Sequence, residues 1–241
     1  MSNLQGRGAL ITGAGSGVGR ATAIALSVAG ATTVLAGRNR ASLEETTRMV
    51  EAAGGHALAI PVDITDETSV RDLVATTTST LDSSINILIA AAGVGLYGAV
   101  ADYSLADWQT TIATNLTGVF LCCREFLPGM VTAGGGAIIA VGSGASKQGY
   151  ANLAAYAASK FGLLGFMQSL AAEVGEKGIK VSTILPGSIA TTFAGKTLVD
   201  VAVGRAAGKT YLEPEDVAEA IVYLLRQPDR AWTQEMNLWP R

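Results

Sequence analysis

The run GALITGAGSGVGRATAIALSV (8–28) decides the fold. Its first five residues, GALIT (8–12), form a short apolar β run, and a glycine cluster, TGAGSGVG (12–19), follows at once. A helical pattern near 17–29 opens directly out of that cluster. Strand, tight turn and helix thus occupy one continuous unit, with glycine supplying the turn. The same alternation continues along the chain. TTVLAG (32–37), HALAIPV (56–62), INILIAAAG (85–93), GAIIAVGS (136–143) and KVSTILPG (180–187) read as strands, and EMNLW (235–239) as a last one. Helical stretches near 41–53, 66–80, 105–131, 153–174 and 214–226 separate them, with Pro214 suited to the first turn of the last helix. Several strands lack strict polar alternation, as strands buried on both faces do. The expected fold class is α/β: a doubly wound, mainly parallel seven-stranded sheet with helices on both faces. No linker, repeat or composition shift divides the chain, so residues 1–241 are expected to form a single domain.

Composition narrows the function classes. A hydrophobic fraction of 49% with 15% charged residues describes a well-buried globular chain. The net charge is −3 and no long basic run appears, so nucleic acid has no electrostatic footprint here. The single histidine, His56, excludes a His-rich metal site and weakens any Ser/His/Asp hydrolase reading, and no metal is expected. The two cysteines, Cys122 and Cys123, are adjacent, which rules out an ordinary bridge across the fold and fits a reducing compartment. The opening MSNLQGRGALITG passes straight into a strand, so no leader peptide is read. The longest apolar stretch, Ile85 to Val100, is broken by glycine and too short to span a membrane. A cytoplasmic protein without membrane association is expected.

Doubly wound sheets bind ligands beyond the carboxyl ends of their strands, where the glycine turn falls. Glycines there let backbone amides approach a pyrophosphate at a helix N-terminus. A second stretch, AYAASK (155–160), places Tyr156 and Lys160 four residues apart. On a helix that spacing puts both on one face, a geometry in which a cation lowers the pKa of a phenol. By itself the pair equally describes two neighbours on an ordinary helix.

The spacing of Gly13, Gly17 and Gly19 departs from the common GxGxxG and resembles the TGxxxGxG of the short-chain dehydrogenase/reductase family. The resemblance extends across nearly the whole chain and implies a Rossmann-like domain. It implies that Gly13, Ser16, Gly17, Val18 and Gly19 cradle a nicotinamide dinucleotide, with Asp63 and Ile64 at the adenine and Gly93 at a close turn. Within PGSIAT (186–191), it implies that Pro186, Gly187, the Ile189 backbone and the Thr191 side chain hold the nicotinamide. It implies a catalytic tetrad of Asn115, Ser143, Tyr156 and Lys160. Tyr156 would exchange the proton and Lys160 would also hold the ribose. Ser143 would bond the substrate oxygen, and Asn115 would support a water-linked proton route to Lys160. The activity implied is interconversion of a small carbonyl compound and a secondary alcohol. Relatives commonly form dimers or tetramers through helices matching 105–131 and 153–174.

The second strand selects the cofactor. It ends LAGRNR (35–40), with Gly37 where NAD-selective relatives carry an aspartate and Arg38 next to it. Arg38 would make charge-assisted contacts with a 2′-phosphate, with Arg40 as a weaker second candidate, so NADP(H) is expected. Two stretches depart from the family pattern. AAAG (90–93) replaces the usual NNAG, removing two asparagine side chains, and the chain reads MNLWPR (236–241) in place of a VDGG-like strand. Substrate selection is expected after the fourth and fifth strands and in a lid over 188–212, with Gln148, Tyr150 and Phe193 as pocket residues and Lys147 solvated. Two rival readings are a catalytically silent dinucleotide sensor and a sugar-nucleotide epimerase or dehydratase. The complete tetrad argues against the first, the glycine spacing against the second.

Overall fold

The computed structural model describes residues 4–81 and 84–241. Met1–Asn3, the start of the run read as lacking a leader, and Asp82–Ser83 lie outside the described residues. Seven strands form one parallel sheet: β1 (Gly8–Thr12), β2 (Thr32–Gly37), β3 (Ala57–Pro61), β4 (Ile85–Ala90), β5 (Gly136–Val141), β6 (Ile179–Pro186) and β7 (Glu235–Leu238). Their order is β3-β2-β1-β4-β5-β6-β7, and every pairing is parallel. The chain therefore starts at the centre, winds outward, then crosses back. The crossover lies between β1 and β4, where ligand crevices form in such sheets.

The helices are α1 (Gly17–Val28), α2 (Arg40–Ala52), α3 (Glu67–Thr80), α4 (Leu105–Ile112), α5 (Gly118–Thr132), α6 (Ala154–Val174), α7 (Leu198–Ala206) and α8 (Pro214–Leu225). One apolar layer joins α1, α2 and α8 to the sheet through Leu26, Leu43, Val50, Val217 and Ile221. The other joins α3, α5 and α6 through Leu73, Phe126, Met130, Leu163 and Met167. Strands buried on both faces follow from these two layers, which explains their near-continuous apolar sequence. Cys122 and Cys123 sit unbridged in the second layer, where burial pushes both thiols up, Cys122 to about 12. No helix among the described residues is long and apolar enough to cross a membrane.

Two elements differ from expectation. The stretch read as one helix over 105–131 is broken by a π-helical segment, Ala113–Thr117, which carries Asn115. Such a widened turn often lies at functional sites. The stretch read only as a lid contains α7, whose start is fixed by reciprocal bonds between Thr197 and Asp200. Only Val201 of that helix is buried, so its apolar spacing carried no clear helical signal.

The AAAG turn that closes β4, where Ala90 and Ala91 stand for the expected asparagines, is supported from β1. The Thr12 hydroxyl accepts from the amides of Ala91 and Ala92, each at 3.2 Å, and donates to the Ile89 carbonyl at 3.4 Å. One donor and two acceptor positions exhaust a threonine hydroxyl. Replacing Thr12 with valine leaves the two amides without that acceptor, so Thr12→Val is expected to lower unfolding stability by about 1–3 kcal/mol. Urea unfolding of the variant measures this, with an unchanged midpoint as the contrary result.

Candidate active site

The glycine turn is shaped by close approach. Gly13 has φ +68°, and a Cβ there would lie 2.8 Å from the Ala92 Cα. At Gly19 a Cβ would meet the Gly13 carbonyl oxygen at 2.3 Å, so no side chain fits. The turn's carbonyls are tied back into the protein. The Arg20 guanidinium donates to Gly15 O at 2.6 Å, and the Thr46 hydroxyl donates to Ala14 O at 3.0 Å. Ser16 stands at the N-cap of α1 yet makes no side-chain capping bond. A helix start whose carbonyls point away and whose amides lack a cap suits an anion. Arg20 and Thr46 were not read from the sequence, since their part depends on how α1 and α2 pack.

A cleft of about 1110 Å³ opens at the carboxyl ends of the strands. Gly13, Ser16, Gly17, Val18, Gly19, Gly93, Ser143, Tyr156, Lys160, Pro186, Gly187, Ile189 and Thr191 all line it. A groove of about 230 Å³ carries Arg38, Asp63 and Ile64 and shares Gly13, Ser16 and Gly93 with the cleft. Arg38 is exposed and its charge is felt by Asp63. The Asp63 carboxyl is held below its ordinary range, first by the Thr65 amide, with help from the Thr65 hydroxyl and Arg38, while burial opposes them. Arg40 instead lies 3.9 Å from Glu44 on the exposed side of α2. Among the described residues no cluster of three metal-binding side chains occurs.

Tyr156 and Lys160 lie on α6, both buried, with the Lys160 ammonium 5.8 Å from the phenol ring centre. The Lys160 ammonium donates to the Val141 carbonyl at 2.7 Å, and burial lowers its pKa to about 8. Burial also pushes the Tyr156 phenol up, to about 12, opposed by a hydrogen bond with Ser143 and aided by Tyr97. Desolvation is the larger effect, and it disfavours the charged form of each partner. Ser143 also caps a short 3₁₀ turn, its hydroxyl accepting from the Ala145 amide at 3.1 Å.

Asn115 is fully buried and lines neither the cleft nor the groove. Its side chain accepts from the Val94 amide at 2.8 Å and donates to Val94 O at 2.9 Å and to the Ser159 hydroxyl at 3.0 Å. Ser159 in turn donates to the Tyr156 carbonyl at 2.7 Å. Both amide protons are committed, and the side chain fixes the β4 loop to α6. Of the expected pocket residues, Tyr150 and Phe193 line the cleft and Gln148 does not. Lys147 is exposed and pairs with Glu235 at 2.8 Å. Tyr97, Leu153 and Trp239 line it too and were not anticipated, because loops bring them there.

A doubly wound sheet, a glycine turn opening α1, and a tyrosine, serine and lysine in one cleft define a dinucleotide-dependent oxidoreductase class. The short chain dehydrogenase family model matches residues 7–201, and the chain belongs to that family. It is 32% identical to a 3-oxoacyl-[acyl-carrier-protein] reductase of Synechocystis, over 96% of this chain and 94% of that protein. It is 34% identical to glycine betaine reductase ATRR of Emericella nidulans, over 99% of this chain but 19% of that much longer protein. A solved metagenomic short-chain oxidoreductase in complex with NADP superposes with a TM-score of 0.86 at 32% identity, covering 100% of both chains.

The buried lysine makes a measurable difference to stability. Its proton is held less tightly in the folded chain than in the unfolded one, so its contribution to stability rises with pH. The window runs from about 8, the folded value, to the ordinary lysine value of 10.5. Thermal melts across pH 7–10.5 are therefore expected to show wild type gaining stability relative to Lys160→Met. A difference that is flat with pH would contradict the buried, depressed ammonium.

Proposed function

We propose that this oxidoreductase interconverts a carbonyl compound and a secondary alcohol with NADP(H), using Tyr156 as the acid/base. The observation that carries the reading is the buried Tyr156 phenol in one cleft with Ser143, Lys160 and the glycine turn. Bound there, the nicotinamide would supply or accept the hydride. The turn of Gly13, Gly17 and Gly19, with the α1 amides and the backbone of Ser16 and Val18, would hold the pyrophosphate. Asp63 and Ile64 would receive the adenine, and Arg38 the 2′-phosphate, with no acidic side chain at Gly37 to repel it. Pro186, Gly187, Ile189 and Thr191 flank the nicotinamide end, and Gly93 leaves room beside Lys160. A Cβ at Gly93 would lie 4.0 Å from the lysine nitrogen.

At neutral pH the raised phenol keeps its proton, so Tyr156 is a donor to a carbonyl oxygen that gains negative charge. Ser143 bonds the same oxygen and stabilises that charge. Lys160 holds the ribose side of the cleft. Asn115 positions Tyr156 through Ser159. Residues 188–212 would act as a lid: Ala190 and Leu212 tie its two ends at 2.8 Å. Exposed Leu105, Trp108, Phe120 and Phe161 on α4–α6 support self-association as a dimer or tetramer. The unbridged cysteines suit a reducing, cytoplasmic setting.

Tyr156→Phe keeps the ring and removes the proton. NADPH oxidation with a ketone panel is expected to fall by about 10²–10⁴-fold while the melting temperature holds. Full activity in that variant would sink the mechanism. Arg38→Ala should weaken NADPH, relative to NADH, by roughly tenfold or more, as loss of a charge-assisted contact implies. Steady-state KM values for the two cofactors decide it, and a preference for NADH already present in wild type would overturn the assignment.

A further inference from the structure

One wall of the cleft has no part in the reaction described above. Trp239 follows β7 directly, in the MNLWPR (236–241) stretch that departs from the family pattern, and it lines the cleft. Its six-membered ring lies against two glycines. A Cβ at Gly144 would fall 2.7 Å from the indole Cη2 and 3.2 Å from Cζ2. A Cβ at Gly187 would fall 2.9 Å from Cε3 and 3.4 Å from Cζ3, with the Pro240 Cδ at 2.8 Å. Neither glycine holds a positive φ, so backbone conformation does not demand glycine at either place. The indole does, joined at Gly187 by the proline ring.

The two glycines belong to different loops. Gly144 follows Ser143 and opens the short 3₁₀ turn, Gly144–Ser146, that the Ser143 hydroxyl caps. Gly187 follows β6 and lies in the stretch proposed to flank the nicotinamide. Strands β5 and β6 pair as far as Val141 and Ile184, and the Gly142 amide adds a bond to Ile184 O at 2.7 Å. Past that point the indole spans the two loops. Its own backbone is anchored next door, where Leu238 O accepts from the Gly187 amide at 2.8 Å. Strand β7 also holds the far end of the Ser143 turn, through the pair of Lys147 with Glu235. That pair is partly exposed and worth little alone, so the ring is the stronger brace.

In the proposed reaction the substrate oxygen sits at Ser143 while its carbon faces a nicotinamide held by the 186–191 loop. The separation of these loops decides whether both conditions are met together. We infer that Trp239 is a positioning residue that sets this separation, with its indole as the spacer between the Ser143 turn and the loop after β6. It acts through Gly144 and Gly187 and takes no proton or hydride itself. This role rests on the carbonyl-reducing reading above.

The test compares wild type with Trp239→Ala, Trp239→Phe, Gly144→Ala and the double variant Gly144→Ala/Trp239→Ala. Steady-state kinetics use NADPH with acetophenone and 2-decanone, and hydrogen exchange and melting temperature are measured on the cofactor-free proteins. Trp239→Ala is expected to lower kcat by about 10²-fold, the scale of a misplacement near 1 Å, while the NADPH KM stays within about threefold. The Ser146 and Lys147 amides, bonded to Ser143 O at 2.9 Å and Gly144 O at 3.1 Å, should exchange faster in that variant. Trp239→Phe keeps a ring in place and should recover most of the kcat. Gly144→Ala collides with the indole, so it should lower kcat in wild type yet add no loss once Trp239 is alanine. Losses that multiply in the double variant would overturn the inference. So would a wild-type kcat in Trp239→Ala, or a fall in melting temperature and kcat there with no change in exchange at the turn. Either result would leave the carbonyl-reducing reading standing. If wild type reduced no ketone with NADPH, that reading itself would fall, and hydrogen exchange would still decide whether the indole holds the turn.

Discussion

Asn115 is the constraint on which the site depends. Its side chain holds both backbone polar groups of Val94 and reaches Ser159, which holds the carbonyl of Tyr156. One buried amide thus joins the loop after β4, the π-helical turn and the start of α6. Each of those groups would be costly to leave unpaired in the interior, so the three elements settle together. The position of the phenol relative to the glycine turn is set by this chain of bonds. Thr12 performs the matching task one step earlier, holding the same loop to the end of β1. The crossover of the sheet is thereby pinned from both sides.

The second theme is burial against charge. A tyrosine and a lysine one helical turn apart would, in water, favour tyrosinate and ammonium together. Here both are enclosed, and each shifts toward its neutral form. Rings of Tyr97 and Phe193 supply part of that enclosure. The Lys160 ammonium finds its compensation in the Val141 carbonyl rather than in the phenol. The proton donation proposed for Tyr156 would come from a desolvated phenol in the same cleft as the Ser143 hydroxyl.

Much of this was legible in the sequence because it rests on local patterns. Apolar runs such as INILIA, bracketed by helical stretches, set the order of strands, and TGAGSGVG marked the turn where α1 opens. Tyr156 and Lys160 share a face because the helix repeat requires it. What was not legible depends on contacts between distant segments. The π-helical turn at Asn115 interrupts a stretch whose residues all suit an ordinary helix. The carbonyls of the glycine turn are held by Arg20 and Thr46, residues with no local signature for that task. Gln148 was expected in the pocket as a residue following the fifth strand, yet it is exposed outside the cleft, and the neighbouring Lys147 pairs with Glu235 on β7. The approach of Tyr97 and Phe193 to the Tyr156 ring needs two loops and the bare Gly95 to bring it about.

The state of the phenol is the centre of this account, and it is directly observable. Tyrosine labelled with ¹³C at Cζ, followed by NMR from neutral pH upward, reports ionisation of each ring, and Tyr156→Phe assigns the signal. In the cofactor-free protein the Tyr156 resonance is predicted to titrate well above the ordinary tyrosine value of 10.0, near 12. Ionisation at or below the ordinary value would show that the lysine's charge outweighs burial and would contradict the account.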